Sequence, residues 1–263
     1  MNETQWQLIQ KEAEVAAANE PFLKEMLAEV ILSQPDFAHA LSILLSEKLH
    51  CSSTSTVKLH CIIDEALADP ELAERAEKDL AAVVDRDSAC DSYLTPLLYF
   101  KGYQALQSYR IAHWLWQRNR EPLALYLQHR ISVQFGVDIH PAAKIGSGIM
   151  MDHATGIVIG ETCIIGDNVS IMQEVTLGGT GKEHGDRHPK VADGVLISSG
   201  AKILGNIHLG EGCKIGAGSV VLQDIPPHTT AAGVPARIVG KPKVDQPALD
   251  MNHEFSCDSD FSI

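Results

Sequence analysis

The residues best suited to chemistry fall in three clusters. His153 follows Asp152 in Met151-Asp152-His153-Ala154-Thr155-Gly156. An imidazole with a reference pKa of about 6.5 is partly unprotonated at neutral pH and can take a proton from a hydroxyl. The run Gly178-Gly179-Thr180-Gly181-Lys182-Glu183-His184-Gly185-Asp186-Arg187-His188-Pro189-Lys190 gathers acid–base and anion-binding groups in one loop. Asp85-Arg86-Asp87-Ser88-Ala89-Cys90-Asp91-Ser92 is rich in carboxylates, which suit a cationic ligand. Each cluster also has an ordinary reading: a hydrogen-bonded surface histidine, a solvent-facing loop, and helix capping by Asp or Ser. Gly-Gly-Thr-Gly-Lys is not a phosphate loop. Walker spacing needs Gly where Thr176 stands and Ser or Thr where Glu183 stands.

The elements that must position these clusters are of two kinds, and glycine divides them. Of 20 glycines, one lies in residues 1–135, 19 in 136–240 and none in 241–263. Residues 1–135 read as helices, with apolar stripes such as Phe22, Met26 and Val30 or Leu72, Ala76, Leu80 and Val83. Asp69-Pro70 and Thr95-Pro96 are helix-start signals, the second opening a long apolar stretch to Trp116. A last helix is expected from Pro122 to about Phe135. From residue 136 the period becomes six. Aliphatics recur at Ile139, Ile145, Met151 and Ile157, and then, after a two-residue slip, at Ile159, Ile165, Ile171 and Leu177. After a longer break they resume at Ile197, Ile203, Leu209, Ile215 and Val221. Such a repeat predicts a triangular parallel β-helix, each six residues giving a short strand and a corner. A solenoid that extrudes a polar loop, here residues 178–194, usually does so for function.

Composition bounds the rest. The net charge of −13 and the absence of a basic patch argue against nucleic acid as a partner. The N-terminus lacks the pattern of a signal peptide, and no stretch is apolar enough to span a membrane. Six scattered cysteines without a CxxC pair are expected to be free thiols in a reducing cytoplasm.

The chain resembles the bacterial serine acetyltransferases of cysteine biosynthesis. The resemblance runs through Ser92-Tyr93-Leu94-Thr95-Pro96, Lys101-Gly102, Val137-Asp138-Ile139-His140-Pro141, Met151-Asp152-His153-Ala154-Thr155-Gly156, the loop from Leu177 to Lys190 and Ala231-Ala232-Gly233-Val234-Pro235-Ala236-Arg237. It implies an α-helical N-terminal assembly domain (1–135), a left-handed parallel β-helix acyltransferase domain (136–240) and a flexible C-terminal tail (241–263). It also implies trimers through the prisms and hexamers through the helices.

The implied reaction moves acetyl from acetyl-CoA to the hydroxyl of L-serine. The resemblance makes His153 the general base and Asp138 its partner carboxylate, and puts His188 near the hydroxyl. Arg187 would meet the serine carboxylate, and Asp87 and Asp152 its ammonium, so that the two halves share one site. Gly179, Ala201 and Lys214 lie in stretches that match the CoA groove, although Lys214 also reads as a solvated corner residue. No metal is expected. L-cysteine is implied as a feedback inhibitor at the serine site. The terminal Ile263 is implied to insert into O-acetylserine sulfhydrylase (cysteine synthase). Alternatives are another hexapeptide acetyltransferase, with a homoserine, sugar or antibiotic acceptor, and a zinc-dependent β-helix lyase using His153, His184 and His188.

Overall fold

The structure, a computed structural model, describes residues 3–52, 54–181 and 184–254. Helices come first: α1 (Gln5–Asn19), α2 (Lys24–Leu27), α3 (Phe37–Leu49), α4 (Thr56–Leu67), α5 (Pro70–Arg86), α6 (Leu94–Tyr99), α7 (Lys101–Gln117) and α8 (Glu121–Phe135). Their starts follow local chemistry. Thr4 forms a capping box with Gln7, and the Asp69 side chain accepts from Glu71 N ahead of Pro70. The long apolar stretch after Thr95-Pro96 is two helices and not one. Phe100 is extended (φ −86°, ψ 105°), and α7 starts again beyond it. The carbonyls this break would strand, on Leu97 and Leu98, accept from Gln104 Nε2 at 3.0 and 2.8 Å.

From Asp138 the chain winds into three parallel sheets. The first holds β1 (Asp138–Ile139), β4 (Val158–Ile159), β7 (Thr176–Gly178), β10 (Lys202–Leu204) and β13 (Val220–Val221). The second holds β2 (Lys144–Ile145), β5 (Ile164–Ile165), β8 (Lys190–Val191) and β11 (His208–Leu209). The third holds β3 (Met150–Asp152), β6 (Ser170–Met172), β9 (Leu196–Ile197), β12 (Lys214–Ile215) and β14 (Thr230–Gly233), closed by antiparallel β15 (Ala236–Gly240). The aliphatics of the period-six pattern are buried inside the prism: Ile139, Ile159, Leu177, Ile203 and Val221 all lie within 2% exposure. Stacking identical small strands buries a continuous core that no single coil could make alone.

Register locates the irregularities. Lys202 pairs with Val220 and Leu196 with Lys214, an 18-residue coil. Asp138 pairs with Val158, so the first coil has two residues more. Ile164 pairs with Lys190, eight more than 18, which measures the extruded loop.

The helices dock on the third sheet through buried polar chemistry. Asp79 of α5, fully buried, accepts from Arg110 Nε at 2.8 Å, Gln107 Nε2 at 3.0 Å and the Ile149 backbone N–H at 2.9 Å. Arg110 in turn donates to the carbonyls of Ile145 and Gly146. Gly102 of α7 lies so close to β3 that a Cβ there would stand 2.0 Å from the Met151 carbonyl oxygen. Beyond β15 the chain folds back. The short helix α9 (Pro247–Asp250) and residues 251–254 lie along the third sheet, where Ser170 Oγ donates to Ala248 O at 2.9 Å. The first part of the tail is therefore docked. Residues 255–263, with Ile263, lie outside the described residues.

Candidate active site

The two extra residues of the first coil are His153 and Ala154. After β6 the chain reaches its next strand at Thr176 by way of Gln173, Glu174 and Val175. After β3 it needs five residues, 153–157, to reach Val158. The surplus is expelled as a bulge in which His153 (φ 53°) and Ala154 (φ 59°) are both left-handed, closed by Ala154 N–H to Asp152 O at 2.5 Å and Thr155 N–H to His153 O at 2.8 Å. Two consecutive non-glycine residues in this region cost on the order of 1 kcal/mol each. Lys101 Nζ, from the start of α7, donates to Thr155 Oγ1 and pins the bulge. The His153 side chain is left 75% exposed.

Beside the bulge lies a cavity of about 290 Å³ between helices and β-helix. Val83, Asp87, Tyr99, Phe100, Lys101, Gly102, Tyr103, Met150, Met151, Asp152 and His153 line it. Asp87 arrives as the C-cap of α5 and Asp152 as the last residue of β3. Asp152 Oδ1 is 3.8 Å from His153 Nε2. Burial pushes the Asp152 carboxyl above its ordinary value. The nearby His153 opposes that shift and the Asp87 charge adds to it. Two carboxylates in one half-enclosed cavity repel each other and together favour a cation.

The other sequence-selected residues lie elsewhere on the chain. Asp138 does not meet His153: its Oδ1 accepts from Gln128 Nε2 of α8 at 2.7 Å. Arg187 and His188 belong to a different corner of the prism, after β4. There Arg187 pairs with Glu161 at 2.6 Å, and this hydrogen bond holds the Glu161 carboxyl below its ordinary value. His188 is buried against Gly160, where a Cβ would stand 2.2 Å from the ring, and burial lowers its pKa. The cavity holding Asp87, Asp152 and His153 is lined by neither.

Gly179 sits at the mouth of the extruded loop, 3.7 Å by its would-be Cβ from His188 Nε2. Ala201 is fully buried, with its carbonyl accepting from Thr176 N. Lys214 is not a solvated corner residue. It lies in β12, 4% exposed, with Nζ donating to Glu254 O at 2.6 Å under the folded-back tail. Gln128, Lys101, Glu161 and Thr162 hold site residues in place but were not singled out for a role from sequence. Only Lys101-Gly102 lay in a stretch already marked by resemblance.

Comparison with known proteins places the chain in a family. A family model described as "Serine acetyltransferase, N-terminal" matches residues 5–108, and a bacterial transferase hexapeptide model matches 188–223. The serine acetyltransferase of Salmonella typhimurium is 57% identical over 252 residues, covering 95% of this chain and 92% of that one. A serine acetyltransferase structure in complex with cysteine superposes with a TM-score of 0.93 at 56% identity, covering 96% and 98% of the two chains. The Brucella abortus enzyme in complex with coenzyme A gives 0.89 at 49% identity, with 91% and 96% covered. The soybean enzyme complexed with serine gives 0.88 at 54% identity, with 89% and 97% covered. With a helical half that matches the family's own N-terminal model, a hexapeptide β-helix behind it and relatives this similar over nearly the whole length, the chain belongs to the serine acetyltransferase family.

Proposed function

We propose that the protein transfers acetyl from acetyl-CoA to the hydroxyl of L-serine, giving O-acetyl-L-serine and CoA, as the first step of cysteine biosynthesis. The observation that carries this reading is the convergence of Asp87, Asp152 and His153 on one cavity beside a strained bulge. The two carboxylates match an α-ammonium, and the exposed imidazole matches a hydroxyl to be deprotonated. His153 takes the serine proton as the oxygen attacks the thioester carbonyl, and the resulting imidazolium returns it to the departing thiolate. The nucleophile is the substrate, so no acyl-enzyme forms. Asp138 is the carboxylate assigned to orient His153. Its bond to Gln128 must be exchanged or shared for that role. Acetyl-CoA supplies the activated carbonyl, and Gly179, Ala201 and Lys214 are the residues assigned to its groove. Lys214 becomes available to it only if the segment ending at Glu254 lifts.

Arg187 and His188 serve the serine carboxylate and hydroxyl. Because they stand at a different prism corner from His153 in one chain, the complete site is formed between neighbouring chains of a trimer. Two trimers joined through the helical domain (1–135) make a hexamer, with the base in 136–240 and Asp87 reaching the same site from the helical half. The setting is cytoplasmic. L-cysteine, lacking the hydroxyl, occupies the serine site as an inhibitor, and Ile263 engages cysteine synthase.

The test is CoA release with L-serine, L-homoserine and chloramphenicol as acceptors. Activity on serine that is lost in His153→Ala is expected. Failure on serine with activity on another acceptor would overturn the substrate, and stoichiometric zinc in the purified protein would favour a lyase. Mixing chains carrying His153→Ala with chains carrying Arg187→Ala tests the shared site. Recovered activity supports it, and none in verified mixed trimers refutes it.

A further inference from the structure

Thr162 stands at the corner after β4, directly beneath the extruded loop, and its hydroxyl is saturated. The backbone N–H groups of Arg187 and His188 both donate to Oγ1 at 3.1 Å. His188 Nδ1 lies 2.9 Å from the same oxygen, and the Thr162 backbone N–H donates to that Nδ1 at 3.2 Å. A hydroxyl has two lone pairs and one hydrogen. The two loop N–H groups occupy the lone pairs, so the hydrogen is shared between Nδ1 and the Asp186 carboxylate, while the Thr162 backbone N–H donates to Nδ1 alone. A ring nitrogen that accepts from a backbone N–H carries no proton, and the proton of the neutral ring resides on Nε2. The ring is 8% exposed and wedged over Gly160, so it has no room to turn away. Among the described residues, the hydrogen bonds to the imidazole all fall on Nδ1.

We propose that Thr162 is a positioning residue that fixes His188 as the neutral Nε2–H tautomer, so that His188 acts as a stationary hydrogen-bond donor to a substrate oxygen and not as a second base. This rests on the reading that the Arg187–His188 pair belongs to the serine site. A second proton would have to enter at Nδ1, against the backbone N–H already donating to it and beside the Thr162 hydroxyl. The charged and titratable groups facing the ring point mostly the same way. Arg187 and Lys190 on the loop side and His140 from the first coil disfavour a cation, Glu161 on the second coil favours one, and burial outweighs each of them. The division of labour follows from surroundings: His153 is exposed, while His188 is enclosed and held in one state.

The experiment measures kcat/KM for serine against pH in Thr162→Val, Thr162→Ser, His188→Gln and His188→Asn, at matched oligomeric state. Thr162→Val keeps shape but removes the hydroxyl. It is expected to lose about tenfold and to gain an acid-side ionisation absent from the parent. Thr162→Ser should track the parent in both. His188→Gln carries an amide N–H near the Nε2 position and should retain more activity than His188→Asn, whose amide reaches only as far as Nδ1. A Thr162→Val profile identical to the parent, or His188→Asn equal to or better than His188→Gln, overturns the proposal. If Thr162→Val does not fold, the order of the two His188 variants still decides. Parental activity in both His188 variants would instead refute the placement of His188 in the serine site.

Discussion

Asp79 offers the sharpest test of how the helical half is held to the prism. Its carboxylate is fully buried and accepts from Arg110, Gln107 and the backbone of Ile149, one residue before β3. Arg110, 5% exposed, pairs with no other carboxylate among the described residues. Asp79→Ala leaves that guanidinium buried and uncompensated, a loss of about 3–5 kcal/mol. Asp79→Leu with Arg110→Met removes both charges. What remains is the stranding of the Gly146 carbonyl, the Ile149 N–H and the Gln107 amide, at roughly 1 kcal/mol each, partly recovered by apolar burial, while the Ile145 carbonyl keeps Arg75 Nη1 at 3.2 Å. The pair should therefore cost about 1–3 kcal/mol and sit above the single variant. Urea unfolding followed by tryptophan fluorescence, at one protein concentration, gives both values. The functional companion is KM for serine, which should rise in the single variant because Ile149 sets the start of the strand that ends in Asp152. A single-variant cost below about 1 kcal/mol, or a double variant less stable than the single, would refute the view that this pair is a matched buried unit.

Four further outcomes follow from the site. His153→Ala should lower turnover by about 10²–10⁴-fold while leaving the melting temperature almost unchanged, since the side chain is largely exposed. His153→Gly should be equally inactive yet more stable than His153→Ala by roughly 1 kcal/mol, because glycine accepts φ 53° without strain. Gly102→Ala should abolish serine binding before it abolishes folding of the prism, since its Cβ would press on the Met151 carbonyl, read as a rise in serine KM. Asp152→Asn addresses pH. The folded-state pKa of Asp152 is raised, so folding favours the protonated form, and stability is lost as pH rises from the ordinary value of 3.8 through the raised one. The amide variant should therefore melt higher than the parent at pH 7, and the gain should vanish towards pH 4. Thermal melts across that range check the sign.

Much of this molecule is readable from local pattern, and the reasons for the exceptions are specific. The period of six, the two-residue slip and the loop after Leu177 mark the prism, its bulge and its insertion, because each coil repeats the same local demands. Asp79 gives no such signal. It sits in a helix crowded with Glu and Lys, and only the distant Arg110 and Ile149 distinguish it from a solvated neighbour. The break at Phe100 has no proline or glycine at the site. The carbonyls it frees are taken up by Gln104, six and seven residues along the chain. Lys214 looks exposed until the chain returns along its sheet, and Asp138 meets a glutamine from a helix that the repeat pattern does not report.

The bulge at His153 and Ala154 can also be regarded as a dislocation in a one-dimensional crystal. Apart from the extruded loop the lattice above it keeps an 18-residue spacing, and the two extra residues are an inserted half-plane whose distortion is confined to one corner. Defects of this kind bind what the perfect lattice cannot, because their atoms are displaced from positions that would satisfy one another. Excising His153 and Ala154 would heal the defect and leave an orderly, inert solenoid. Moving the same two-residue insertion to another coil would carry a projecting side chain to a new height along the prism without disturbing the stacking on either side.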